Sequence, residues 1–330
     1  MQSSALIKVV AAWLLALMVL IAGFVLTVVV LNSNVFAPEQ QVKDYIKALQ
    51  EGDGARALGL LNANVPQGDA AMLSGAGLIE ATKGISNITV SDAQPAGPDR
   101  SKVEVSYEVD GKQKTTEFAL EKSGTQWGFF NTWRFVETTL PTVDVRVVNE
   151  NDVVVNGVRM NAPEGVTHFP VFYPAVYTAE FSSKFFEGEP RNVAVTSRQD
   201  SKLSINITPA PTQALTDAVS QKINAYLDEC ATQQVLAPSN CPFQASVERI
   251  KNGAPIKWTI DTYPTVTIEP ANGGWAIKPL SGTARLTTMS IDLFTGAEVP
   301  VDQEVPFGFD ATMNITDTEV SVTPVINFAR

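Results

Sequence analysis

Val9 to Leu31 is a run of 23 residues without a charge, broken only by Gly23 and Thr27 in an otherwise hydrophobic block. As a helix rising about 1.5 Å per residue it reaches about 35 Å, enough to cross a hydrocarbon core of about 30 Å with some tilt. The run predicts a spanning helix over 9–31 and makes the lipid bilayer the first partner of the chain. Trp13 lies near one end, where an indole suits the interface, and Lys8 with the amino terminus supplies the only positive charge on that side. Residues 1–8 then form a short cytoplasmic tail, and everything after the helix lies outside. A cleaved signal peptide is the competing reading, because Val35 and Ala37 are small residues placed for cleavage after Ala37. Against it stand an apolar run longer than the usual 7 to 15 residues and Pro38 directly after the bond. In both readings the remainder of the chain leaves the cytoplasm.

Composition narrows what that remainder can do. Hydrophobic residues make up 45% and charged residues 18% of 330 positions, which supports packed cores in two or three units and excludes general disorder. The 24 basic and 35 acidic residues give a net charge of −11, so an electrostatic nucleic-acid binder is excluded. Cys230 and Cys241 enclose a loop rich in Pro, Asn and Ser. Without a second pair or a neighbouring His they cannot build a tetrahedral zinc site, and a disulfide in an oxidising compartment is favoured over two free buried thiols.

Three units follow the helix in the pattern. In 38–139, Val42, Tyr45, Ile46 and Leu49 form an apolar stripe on a helix from Pro38 to Gln50. Further helical pieces span Ala55 to Leu61 and Ala70 to Ala81. Strands follow at Ile88 and Val90 and at Val103 to Val109, with the hairpin signal Asp110-Gly111. Trp127, Phe129, Trp133 and Phe135 share the parity of one long last strand. In 140–208 short Val-rich strands surround Asn156-Gly157, and Phe169 to Phe181 alternates for thirteen residues with Pro170 and Pro174 on the other parity. That arrangement predicts a small β-sandwich with an edge or bulged strand. In 209–330 Leu215, Val219, Ile223 and Leu227 mark a helix, followed by the cysteine loop and strands over Ile256 to Ile268, Trp275 to Leu286, Ile291 to Val301 and Val305 to Val322. The fold class is α+β: a transmembrane helix, a helix-plus-meander unit, a sandwich, and a second helix-plus-meander unit.

The order of anchor, Val42-Lys43-Asp44-Tyr45-Ile46-Lys47-Ala48-Leu49 with Gly52-Asp53, and Gln126-Trp127-Gly128-Phe129 resembles the cone-shaped cystatin-like and nuclear-transport-factor-like domains of bacterial envelope proteins. Val153-Val154-Val155-Asn156-Gly157 with Phe172-Tyr173-Pro174-Ala175-Val176-Tyr177 is similar to a PEGA-type surface β-domain, with alanine where that motif has glycine. The layout as a whole resembles single-pass Gram-positive, actinobacterial-type envelope proteins, including the teicoplanin-resistance-associated membrane proteins, but has no N-terminal zinc ribbon. The resemblance implies a membrane-bound chain with extracytoplasmic α+β units.

Catalytic chemistry finds little support in the residues. His168 is the only histidine, and no Gly-x-Ser-x-Gly turn accompanies it. Asp144 with Glu150, or Asp302 with Glu304, could act as paired carboxylates, yet acids at strand ends are ordinarily solvated. Asn149-Glu150-Asn151-Asp152 lacks the spacing of a calcium loop, and no phosphate or dinucleotide fingerprint occurs. Asn-Ile-Thr triplets begin at Asn87, Asn206 and Asn314 and match a glycosylation acceptor in form, but they read as strand text with Asn and Thr facing out. Among the seven aromatics from Phe169 to Phe186, parity leaves Phe172, Phe185 and Phe186 as candidates for an exposed contact. These readings predict no catalytic, cofactor or metal residue and a non-enzymatic envelope binding protein, which recognises a cell-wall polymer, a small ligand in a cone-shaped pocket or a membrane protein. The rivals are an envelope hydrolase using carboxylates and a structural spacer.

Overall fold

A computed structural model describes residues 3–200, 203–271 and 273–326. The chain is mixed α+β, with one long apolar N-terminal helix and a β-rich remainder. Helix α1, Ser3–Asn34, is long and apolar enough to cross a membrane by length and composition, and its apolar window is entirely unburied. Two compact units follow from the packing: residues up to Arg146 with Asn151–Glu180 and Pro190–Asn206, and Val147–Glu150 with Phe181–Glu189 and Ile207–Arg330.

In the first unit the helical stripe forms where its spacing places it. Helix α2, Pro38–Gln50, starts on a proline and buries Val42, Tyr45, Ile46, Ala48 and Leu49. Helix α3, Gly54–Leu61, follows, capped by Asp53, whose carboxylate accepts from the Arg56 amide. Its first glycine is a packing requirement, since a Cβ there would lie 1.7 Å from the Leu73 carbonyl oxygen. The helix expected over Ala70 to Ala81 is broken instead. A short turn at Ala70–Met72 precedes α4, Gly75–Lys83, because Gly75 takes a positive φ of 63° and its amide donates to Gly52.

A meander of β1 (Ser86–Val90), β2 (Arg100–Val109), β3 (Lys112–Gln126) and β4 (Phe130–Phe135) pairs in that order. Asp110 and Gly111 both have positive φ, as a type I′ hairpin needs. Val103, Val105, Tyr107, Phe118, Leu120 and Phe135 are buried on one face. The single strand expected from Trp127 through Phe135 is a hairpin: Trp127 and Gly128 take φ of 51° and 76°, and the chain reverses between β3 and β4. Parity in the text could not distinguish continuation from reversal, because both keep alternate residues on one face.

The same unit holds β5 (Thr142–Val147) flanked by β8 (Val166–Pro170) and β11 (Leu203–Ile207), while β6 (Asp152–Val155) pairs with β7 (Val158–Asn161) and with β9 (Ala175–Ser182). The thirteen-residue alternation is interrupted. Residues 171–174 form a link with a cis Tyr173–Pro174 bond, and the Tyr177 hydroxyl donates to the Phe172 carbonyl while accepting from the Phe172 amide. Pro170 remains in a strand because β8 is a sheet edge. At Asn156-Gly157 the Asn156 side chain donates to the Val176 carbonyl and accepts from the Thr178 amide, stitching the turn to β9.

The core of this unit converges on Tyr45. Its ring meets Phe118, Phe135 and Phe172 at centroid separations of 5.5, 5.6 and 6.3 Å, and its hydroxyl donates to the Tyr173 carbonyl at 2.8 Å. Burial pushes the phenol pKa well above its ordinary value, which keeps the proton on the donor.

Strand β10, Phe186–Val195, runs from the second unit into the first. In the second unit, α5, Gln213–Ala231, buries Leu215, Val219, Ile223, Leu227 and Cys230 behind a Thr212 cap. Cys230 and Cys241 form a disulfide. Strands β12 (Lys257–Thr262), β15 (Leu280–Ile291), β16 (Glu298–Ile315) and β17 (Val320–Val325) make an antiparallel meander, with β13 (Ile268–Ala271) and β14 (Gly274–Ile277) as a separate ribbon. The expected break near Val301 falls instead at Asp292, which accepts from the amides of Phe294 and Thr295. Asp302 and Glu304 lie mid-strand on an exposed face and imitate a turn only by their polarity. Phe243, Trp258, Phe307 and Phe309 fill the core between α5 and this sheet.

Two outcomes follow from this packing. Tyr45→Phe is expected to cost about 1 to 3 kcal/mol through the orphaned Tyr173 carbonyl, and Tyr45→Ala about 3 to 5 kcal/mol, read from denaturant unfolding. Cys230 and Cys241 are expected to resist alkylation until a reductant is added. Reduction is expected to destabilise the second unit by about 3 kcal/mol, from the loop length in the chain-entropy model.

Candidate functional site

The first unit carries a cleft of about 210 Å³ walled by Phe118, Phe135 and Tyr173 and bordered by Glu117, Thr138 and the loop Ser197-Arg198-Gln199. It continues into an open concavity of about 450 Å³ lined by Asn64, Glu137, Thr138, Thr139 and Arg198. Thr138 and Arg198 belong to both. The floor is the aromatic core: the Tyr173 ring stacks on Phe118 at 5.7 Å and 11°, with the Tyr45 hydroxyl anchoring its carbonyl. One rim is closed by a two-residue parallel pairing of Ala63–Asn64 with Thr138–Thr139.

The loop that presents Arg198 is held by one carboxylate. Asp200 accepts from the Thr196 amide at 2.7 Å, the Thr196 hydroxyl at 2.8 Å, the Ser197 amide at 3.0 Å and the Ser197 hydroxyl at 3.3 Å. Partial burial pushes its pKa up, but these donors outweigh burial and hold it below the usual carboxylate value. The Thr116 hydroxyl, on β3, donates to the Thr196 carbonyl and fastens the loop to the sheet.

Among the described residues Arg198 has no ion-pair partner. The two nearby acids are committed elsewhere, Glu117 to Lys102 at 2.9 Å and Glu137 to the Asn64 amide at 2.9 Å. Burial raises the Tyr173 pKa, opposed by the Thr138 hydroxyl and by the positive charge of Arg198. A planar guanidinium beside aromatic walls can take a carboxylate or phosphate in a two-pronged hydrogen bond while an apolar body rests on the rings.

The residues singled out from the sequence sit elsewhere. Phe172, Phe185 and Phe186 are buried at 0%, 4% and 5% exposure, which corrects the expectation of an exposed contact. Phe172 leaves the strand parity in the 171–174 link and turns into the Tyr45 cluster, and Phe186 stacks on Trp275 at 4.3 Å. His168 is exposed on β8, with Nδ1 3.8 Å from Asp144 of the adjacent strand. Asp302 and Glu304 face one cation: Arg285 lies 2.9 Å from Asp302, 3.9 Å from Glu304 and 2.7 Å from Asp261. Among the described residues no three His, Cys, Asp or Glu side chains converge as metal ligands. Asn87, Asn206 and Asn314 are exposed. Arg198 itself gave no periodic or motif signal; the only local hint was the run Thr196-Ser197-Arg198-Gln199-Asp200, which has the composition of a tight polar turn.

No family model matches the chain, and no curated protein is significantly similar to it.

The Asp200 shift carries a pH consequence. A carboxylate held below its unfolded value contributes order that is complete above the ordinary carboxylate pKa and is lost as pH falls through the lowered one. The protection factors of the Thr196 and Ser197 amides, which are exchange rates divided into the intrinsic rate at each pH, are expected to be high at neutral pH and to fall on acidification into that window. Asp200→Asn is expected to lower that protection at neutral pH and to differ little from the native protein once Asp200 is protonated.

Proposed function

We propose that the protein is a single-pass membrane protein whose ectodomain binds, without turnover, a ligand bearing a carboxylate or phosphate on an apolar body. The observation that carries the reading is Arg198: a guanidinium without an ion-pair partner among the described residues, presented by a rigid loop at the mouth of an aromatic-walled cleft. Helix α1 and the Cys230–Cys241 bridge support insertion of the chain in a membrane with both units in an oxidising exterior and the N-terminus in the cytoplasm. The two helix-plus-meander arrangements support kinship with the cystatin-like and nuclear-transport-factor-like units of Gram-positive envelope proteins. A cell-wall polymer or a membrane protein carrying such an anionic group is the partner this reading favours. Asp302 and Glu304 are exposed and face Arg285 together with Asp261, which weighs against a hydrolase that uses that pair.

The test is ligand-detected NMR on the full chain in lipid nanodiscs with phenyl phosphate, benzoate and uncharged benzamide. The two anions are expected to bind and benzamide to bind less. Arg198→Ala is expected to weaken the anions about 10- to 100-fold, the worth of a charge-assisted hydrogen bond, and Arg198→Lys by less. Equal binding of all three probes, or no change in Arg198→Ala, refutes the assignment.

A further inference from the structure

The β3–β4 hairpin projects the most exposed tryptophan of the first unit. At its tip Trp127 is 77% and Phe129 54% exposed, an arrangement that water disfavours. From Ser123 to Trp133 the hairpin carries no charge, and the run is bounded by Lys122 and Arg134. The tip does not hang free: it lies along α1 in a defined order. Phe36, just beyond the helix, stacks on Phe130 at 4.6 Å. One helical turn nearer the N-terminus, the Asn32 side-chain amide donates to the Phe129 carbonyl at 2.9 Å, and its oxygen accepts from the Asn131 amide at 2.8 Å. Two turns further, Phe24 meets Phe129 edge-on at 5.4 Å.

That order sets the depth of the tip. The apolar block of α1 ends at Leu31, and Phe24 lies seven residues inside it, about 10 Å along the helix axis. A residue in ring contact with Phe24 is therefore level with the outer part of the hydrocarbon, and a neighbouring tryptophan is level with the interface that indoles favour. Asn32 meets the hairpin backbone through both of its amide atoms, as a neighbouring strand would, so the exposed strand edge near the tip enters lipid with part of its hydrogen bonding satisfied.

We propose that the Trp127–Phe129 tip is a second membrane contact, inserted beside α1 into the leaflet from which the ectodomain emerges, with lipid as its occupant. The inference rests on the reading of α1 as a spanning helix. It adds that the first unit is held against the bilayer by a hairpin and not by the helix alone.

The experiment uses the full chain with its disulfide oxidised, reconstituted in phosphatidylcholine vesicles. A single polarity-sensitive nitrobenzoxadiazole label is placed at Trp127→Cys, at Lys112→Cys on the far end of β3, or at Leu17→Cys in the middle of α1, and quenched by lipids spin-labelled near the top of the acyl chain or near its end. The Trp127→Cys label is expected to emit blue-shifted and to lose about half its intensity to the shallow quencher, as an interfacial group does, while the Lys112→Cys label stays water-like. The Leu17→Cys label is expected to be quenched by the deep spin label. A water-like label at Trp127→Cys with Leu17→Cys quenched overturns the hairpin contact and leaves the anchor standing. Water-like labels at both sites overturn the anchor and the hairpin contact together. Phe129→Cys provides a second reporter at the tip should Trp127→Cys fail to fold.

Discussion

The Tyr45 side chain gathers three segments that lie far apart in the chain: the first ectodomain helix, the meander sheet and the link at 171–174. Its ring contributes edge contacts to Phe118, Phe135 and Phe172, each worth about 0.5 to 1.5 kcal/mol beyond the area buried. Its hydroxyl satisfies a carbonyl in a link that leaves strand pairing just there. Without that donor the Tyr173 carbonyl would be desolvated with no partner, and the link would be held only at Val171 and by the Tyr177 hydroxyl at Phe172. The other features of the first unit follow from this arrangement, because Phe118 and Tyr173 are at once core residues and the walls of the cleft.

A rigid aromatic floor under a polar loop is the usual division between scaffold and recognition. Here the loop has its own internal order, since Asp200 gathers four donors around Thr196 and Ser197 and leaves Arg198 facing outward. Immobilising the backbone in advance lowers the ordering cost of binding, so a single guanidinium can contribute more of its gross interaction as affinity. Of the acids around the cleft Glu117 is paired with Lys102 and Glu137 is hydrogen-bonded by the Asn64 amide, so neither forms an ion pair with Arg198.

In the proposed membrane contact strand β3 serves two solvents. Its middle, from Thr116 to Leu120, alternates between core and water, and its far end is uncharged and carries the aromatic tip that lies along α1. The change in residue type falls at Lys122, opposite Trp133 in the register and next to the Glu121–Arg134 ion pair. A charge boundary of this kind matches a change of medium better than a change of fold, because the strand pairing continues across it with one bulge between Lys122 and Gly124.

What depended on neighbours in the chain was legible before any coordinates. The apolar run of α1, the stripe Val42, Tyr45, Ile46 and Leu49, the alternation of β2, the Asp110-Gly111 turn and the period of α5 are local patterns, and each appears where its spacing places it. The pairing of Cys230 with Cys241 was open to the same reading, because the sequence has two cysteines and no neighbouring His or second pair for a zinc site. The site was not legible. Phe172, Phe185 and Phe186 followed strand parity into an expected exposed contact, and tertiary packing buried all three. Arg198 is an unremarkable arginine in a polar turn until β3, the 171–174 link and the loop after β10 bring Phe118 and Tyr173 beside it. The sequence by itself determined which stretches are apolar, helical or extended, since those depend on the period of side chains along one segment. Tertiary structure alone decided which aromatic faces solvent and which cation lacks a partner, because burial and charge pairing are set by residues tens or hundreds of positions away.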